Sequence, residues 1–193
     1  MQKSPHTHLK FKIAVSGAAE TGHCAPNALE ITKELGREIA RHNSVLVTGA
    51  TTGSPFWAAI GAKEVGGIVI GLSPAHNEFD HVKTYNLPVD YHDLIIYTGF
   101  EYGGRNLLLT RSADAVIVLC GRIGTLNEFT ITFEEKKPIG VLEGTGGIAD
   151  MLREIVEKAH RGSGKLVFSK DPSDLVDKVL ALIKADEKGN GLR

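Results

Sequence analysis

Apolar and polar positions along this chain alternate in short blocks. "FKIAVSG", "SVLVTGA", "GIVIGLSP", "DAVIVLC" and "PIGVLEG" are brief aliphatic runs that end in small residues. This is the pattern of strands buried on both faces. Between them lie amphipathic stretches. "PNALEITKELGREIARH" places Leu29, Leu35 and Ile39 on one side, with Pro26 at a first helical position. In "SPFWAAIGAKEV", Ser54 is the expected N-cap and Pro55 the first helical residue, and Gly66-Gly67 stops the helix. "GGRNLLLTRSA", "TLNEFTITFEEKK" and "GIADMLREIVEKAH" supply further helices, and "DLIIYT" and "KLVFS" further strands. A last helix opens at "DPSDLVDKVLALI", with Asp171 as cap and Pro172 at the first position. Residues 75–90, rich in His, Asn, Asp and Pro, interrupt the rhythm and read as a long loop.

Strand and helix in regular alternation predict a doubly wound α/β fold: a single Rossmann-like domain with a mainly parallel sheet and helices on both faces. The expected boundaries are a tail over 1–10, the domain over 11–185 and a second tail over 186–193. Ligands of such folds bind beyond the C-terminal ends of the strands, near a topological switch point. That directs attention to the loops 16–22, 48–54, 99–106 and 120–125.

The 193 residues suffice for one large core. A formal net charge of -1, from 22 basic and 23 acidic side chains, gives no sign of a nucleic-acid or membrane surface, so neither partner is expected. No apolar run approaches membrane length and the start lacks a leader-like core, so a cytoplasmic location is expected. Cys24 and Cys120 form no CxxC and no metal-ligand spacing, and read as inert buried thiols in a reducing compartment. His6 and His8 read as a solvated tail, and His76, Glu78, Asp80 and His81 as a polar loop rather than a metal cluster.

Two glycine-rich turns are the candidate chemistry. "SGAAETG" lacks the spacing of a dinucleotide fingerprint, and "GSGK" at 162–165 lacks the leading glycine and the following helix of a P-loop. Residues 48–54 and 121–125, by contrast, each run from a buried strand into a helix N-terminus, where backbone N–H groups and the helix dipole favour an anion. Gly49, Thr51, Thr52, Gly53 and Ser54 form the first set, and Gly121, Arg122, Gly124 and Thr125 the second. The alternative is that each turn merely has the glycines and caps its geometry needs. Thr125-Leu126-Asn127-Glu128 also has the form of a capping box. Phe56 and Trp57 read as core or interface residues, with base stacking as the alternative, and Arg111 as a complement to its helix dipole.

"GRNLLLTRSADAVIVLCGRIGTLNEF" resembles the signature of the Lonely Guy family of phosphoribohydrolases, and the similarity extends from about Phe11 to Ile183. The resemblance implies a homodimer that binds a phosphorylated small molecule and hydrolyses the N-glycosidic bond of a nucleoside 5′-monophosphate, with no metal and no cofactor. Arg105 matches the helix arginine, Gly121, Gly124 and Thr125 the phosphate turn, and Glu128 the catalytic glutamate. Arg105 and Glu128 are thus the expected catalytic pair. Three positions depart: Cys120 stands for a proline, Arg122 for a glycine and Asn106 for a lysine. The group also includes proteins similar to molybdenum-cofactor carriers and shares its fold with nucleotide sensors. A non-catalytic carrier or sensor is therefore the alternative reading.

Overall fold

The computed structural model describes residues 9–189. Seven strands form one sheet in the order β4-β3-β2-β1-β5-β6-β7. They are β1 (Lys12–Ser16), β2 (Val45–Thr48), β3 (Val69–Ser73), β4 (Leu94–Tyr97), β5 (Ala115–Val118), β6 (Ile139–Leu142) and β7 (Leu166–Ser169). Every pairing is parallel. The helices are α1 (Ala28–Arg41), α2 (Ser54–Glu64), α3 (Glu101–Ser112), α4 (Ile123–Glu134), α5 (Leu152–Ala159) and α6 (Pro172–Gly189). The expected α/β fold with a parallel sheet is the observed one.

Alternate residues of each strand serve opposite faces, because successive side chains point to opposite sides of a sheet. Ile13, Val15 and Ile117 join Leu35 and Ile39 of α1, Ala58 and Ala62 of α2, and Val179 of α6 in one apolar layer. Ala14, Val116 and Val118 face the other way, toward Leu109 of α3, Phe129 of α4 and Leu152 of α5. The chain adds strands outward from β1 to β4, then returns across the sheet to place β5 on β1's other side. The switch point therefore lies between β1 and β5, with Ser16 opposite Val118 at the strand ends.

Helices α1 and α2 cross so closely that only glycine fits at the contact. A Cβ on Gly61 would lie 1.8 Å from the Lys33 carbonyl oxygen, and one on Gly36 would lie 2.0 Å from that of Ala58. Both obstacles are backbone, so neither can swing aside. Gly61→Ala is expected to cost about 1–3 kcal/mol by forcing the helices apart, read as a lower urea midpoint at unchanged slope. A variant as stable as the parent would mean the crossing relaxes freely.

Local expectations shift in several places. Asn27 holds the cap position of α1, so Pro26 precedes the helix rather than opening it. Ser54 is already helical, with Gly53 at the cap position. Residues 75–90 are not all loop: Asp80–Thr84 make a π-helical turn. His81 there is fully buried, its Nδ1 2.8 Å from Ser73 Oγ and its Nε2 3.0 Å from the Pro88 carbonyl oxygen. The carbonyls at the end of α3 receive Lys137, whose Nζ donates to Thr110, Arg111 and Ala113 at 2.8–2.9 Å. Arg111 pairs instead with Glu135 at 2.6 Å. Asp171 does cap α6, accepting from the Asp174 N–H at 2.8 Å. That helix continues through Gly189, past the expected boundary at 185. The tail histidines His6 and His8 lie outside the described residues. Among the described residues, no helix is long and apolar enough to cross a membrane.

The largest correction concerns the cysteines. Cys24 and Cys120 are not separate thiols but a disulfide, with Cα atoms 5.6 Å apart across 96 residues of sequence. Sequence spacing could not reveal it, because β5 returns beside β1 and brings the two loops together only in the fold.

Candidate functional site

A cavity of about 370 Å³ opens above the switch point. That is within the range of small-molecule sites. Three segments wall it: residues 17–20 after β1, the face of α3 bearing Tyr102, Arg105 and Asn106, and the start of α4 with Arg122, Gly124, Thr125 and Glu128.

The start of α4 turns open backbone donors toward this cavity's edge. Its first internal bond is from the Leu126 N–H to the Arg122 carbonyl at 3.0 Å, so the N–H groups of Ile123, Gly124 and Thr125 precede the helical ladder. No side chain caps this end. The Arg122 backbone is extended at the cap position, ahead of Thr125, where the capping-box pattern places the cap. Gly121 stands just behind: a Cβ there would lie 2.2 Å from Thr125 Oγ1, so glycine is what lets the turn close on the threonine. The Arg122 side chain does not fill the cavity. It leans across the rim to Glu20, with Nη1 2.9 Å from Oε2 and both groups more than half exposed.

Glu128 does not form the capping box. It points to the cavity floor, 5% exposed, where Oε1 accepts from Arg105 Nη1 at 2.7 Å and Oε2 accepts from Ser16 Oγ. With its amide nitrogen turned to the carboxylate, Asn106 donates to the same Oε1 at 2.8 Å and to the Tyr102 carbonyl at 2.9 Å. Arg105 is buried too, at 6%, and not a solvated helix side chain. Its guanidinium lies flat on the backbone of Gly49, where a Cβ would come within 2.6 Å of Nη1. Its Nε has no hydrogen-bond partner among the described residues. A buried cation with an unused donor is costly unless something accepts from it. Tyr102, one turn before Arg105, is half exposed in the cavity wall, its ring centroid 6.0 Å from the guanidinium carbon.

Burial holds the Glu128 carboxyl above the usual carboxylate range, against the opposing pull of Arg105 and the Ser16 hydroxyl. An acid with a raised folded-state pKa contributes stability that is full at low pH and lost as pH rises through the raised value. Glu128→Gln removes that loss. Its unfolding free energy relative to the parent is therefore expected to improve from acid toward neutral pH, measured by urea titration. A flat difference would mean that Arg105 and Ser16 fully offset burial, and a difference that worsens toward neutral pH would mean that they hold the carboxyl ionised.

The 48–54 turn contributes less to the cavity than its composition promises. Thr51 lines it. The Ser54 N–H is already bonded to the Ala18 carbonyl at 2.8 Å, and Thr52 Oγ1 to that of Ala19 at 3.2 Å. Gly53 has φ +68°, and a Cβ there would meet the Ala18 oxygen at 2.3 Å. This turn buttresses the 17–20 loop, and Ser54 is fully buried behind it. A second void of about 20 Å³ separates it from the floor, between Ser16, Arg105 and Glu128. One water fits such a volume. Phe56 packs edge-on against Tyr91, 5.4 Å between centroids, and neither Phe56 nor Trp57 lines the cavity.

Sequence reasoning missed Ser16 and Tyr102 as individual residues, although both lie in or beside loops it singled out. Ser16 ends a strand and Tyr102 begins a helix, and neither carries a motif. Only the alignment of β1 with β5 and α3 with α4 makes them neighbours of Glu128.

Comparison with known proteins places this arrangement. Solved structures with the same fold include the molybdenum cofactor binding protein of Rippkaea orientalis, 29% identical with a TM-score of 0.71, covering 92% of this chain and 97% of that one. The Moco carrier protein of Chlamydomonas reinhardtii is 28% identical with a TM-score of 0.72, covering 90% and 99%. The DNA processing protein A of Helicobacter pylori shares the fold at 20% identity and a TM-score of 0.61, covering 89% and 80%. That protein is described by its single-stranded DNA binding mode. The expectation that nucleic acid is excluded as a partner is therefore corrected: this fold serves a DNA-binding protein, and a near-balanced net charge is no ground for exclusion. The family model of the SLOG cluster4 family matches residues 10–176, which contain all seven strands and the three walls of the cavity. The chain belongs to the SLOG cluster4 family.

Proposed function

We propose that the cavity binds a small molecule joining a phosphate to a flat heterocycle, and that the chain carries this ligand intact. The observation that carries this reading is the convergence of the uncapped α4 N-terminus with Arg105, buried and with Nε unpaired, beside the exposed ring of Tyr102. The N–H groups and Arg105 suit a phosphate, and Tyr102 suits the ring. Carriage rather than turnover is supported by Glu128, whose two oxygens are both engaged by internal donors. Similarity to a molybdenum cofactor binding protein and to a Moco carrier protein supports the same class of ligand.

Hydrolysis of a nucleoside 5′-monophosphate to free base and ribose 5-phosphate is the second reading. It is favoured by Glu128 lining the same cavity with a raised pKa, as a group that delivers or accepts a proton requires. Anchoring the phosphate would orient the glycosidic bond over that carboxyl.

One experiment separates them. Thermal-shift screening of nucleoside monophosphates, phosphosugars and phosphorylated pterins, including molybdenum cofactor, is followed by recovery of the bound compound. A stabilising ligand recovered intact is the expected result. Release of free base, lost in Glu128→Gln, would establish the hydrolase instead. A flat response to every phosphorylated compound would sink both readings.

A further inference from the structure

The β1–α1 loop and the β5–α4 turn meet at a second cluster, outside the cavity but sharing its Cys120-Gly121 turn. Among the described residues, His23, Cys24 and Cys120 bring one imidazole nitrogen and two sulfurs within 4.8 Å of one another. Cys120 is buried, Cys24 half-buried and His23 exposed. The His23 Nε2 to Cys120 Sγ distance is 3.6 Å. In a tetrahedral zinc site, with bonds of about 2.3 Å to sulfur and about 2.0–2.1 Å to nitrogen, a sulfur–nitrogen pair of ligands sits ~3.6 Å apart and two sulfurs ~3.8 Å apart. The imidazole already stands at ligand distance from the Cys120 sulfur.

We propose that, when the disulfide is reduced, Cys24, Cys120 and His23 form a site for a thiolate-preferring metal ion such as Zn²⁺, so that the pair alternates between a disulfide and a metal centre. Backbone hydrogen bonds join the two segments alongside the sulfur–sulfur bond. Thr145 ties both segments: its hydroxyl accepts from the Cys120 N–H at 2.9 Å, and its carbonyl accepts from the Ala25 N–H at 3.0 Å. Cys24 also bridges to Gly146. With Cα atoms 5.6 Å apart, separating the sulfurs to the ligand distance takes side-chain rotation alone. The exposed imidazole keeps one side of the site open, so the three protein ligands leave a fourth position for water or an exogenous group.

The chemistry balances with a thiol reductant. Two thiols give two electrons and two protons to the disulfide, becoming a disulfide themselves and leaving Cys24 and Cys120 as thiols. The metal ion then displaces both thiol protons to solvent and binds two thiolates and the neutral imidazole. Oxidised and metal-bound forms exclude each other, because each needs the same two sulfurs.

The test uses the full chain reduced with a phosphine and titrated with Co²⁺. The expected result is one equivalent bound, a sulfur-to-cobalt charge-transfer band in the near ultraviolet, and displacement by Zn²⁺. The band arises from sulfur, so imidazoles elsewhere, His6 and His8 included, cannot produce it. His23→Ala should weaken cobalt binding tenfold or more while keeping the band, and Cys24→Ser should lose most of the band. No charge transfer in a reduced chain that stays folded by circular dichroism overturns the assignment. So do unfolding on reduction, an undiminished band in Cys24→Ser, an unchanged affinity in His23→Ala, or equal cobalt uptake by the oxidised chain.

Discussion

Arg105→Met is expected to destabilise the chain by about 3–5 kcal/mol wherever the Glu128 carboxyl is ionised, because it leaves that buried charge without its cation. Methionine keeps the aliphatic stem but not the guanidinium that lies on Gly49, so part of the loss is packing and the electrostatic part is the one that changes with pH. The penalty should shrink in acid, where Glu128 takes up a proton and the missing cation no longer matters. The double variant Arg105→Met/Glu128→Gln should recover most of the stability, because both charges leave together. Binding should not recover with it. If Arg105 also holds a phosphate, affinity for a phosphorylated ligand falls about 10–100-fold in both variants, the scale of one lost hydrogen bond to a charged group. Urea titration and ligand calorimetry on the four proteins separate these effects. Recovery of both stability and affinity in the double variant would make the pair purely architectural.

Reduction of the Cys24–Cys120 disulfide should lower the unfolding free energy by about 2–4 kcal/mol, since the bond closes a long loop in the unfolded chain. The 96-residue separation puts the effect toward the upper end. A second consequence is local. Residues 17–20 form one wall of the cavity, and the bond anchors the loop that carries them to the turn at the base of α4. Ligand affinity should therefore fall on reduction even where the chain stays folded. Guanidinium titrations with and without a phosphine reductant, in chelator to exclude metal, check the first effect, and calorimetry checks the second. A stability difference below about 1 kcal/mol, well under the usual range for a native disulfide, would mean that the backbone bonds through Thr145 already hold these segments.

The distance between expectation and structure is instructive at particular residues. The helix start at α4 was legible from "GRIGT" because glycine and threonine after a buried strand constrain the local backbone. The direction of Glu128 was not. Its capping-box pattern and its cavity-floor position use the same sequence, and the choice between them rests on Ser16, 112 residues away, and on Arg105, 23 residues away. The 48–54 turn has the composition of a phosphate loop, but the 17–20 segment accepts from its Ser54 N–H and Thr52 hydroxyl, and of this turn only Thr51 lines the cavity.

What the sequence determined by itself was the element list, the parallel sheet and the strand ends where a site must lie. Those follow from hydrophobic period and turn chemistry, which act over a few residues and survive in any context. Only the tertiary structure decided which side chains meet. The return of β5 to the far side of β1 paired Ser16 with Glu128, laid Arg105 on Gly49 and joined Cys24 to Cys120. Each of these contacts spans from tens of residues to more than a hundred, and no local pattern encodes a distance that the crossover alone closes.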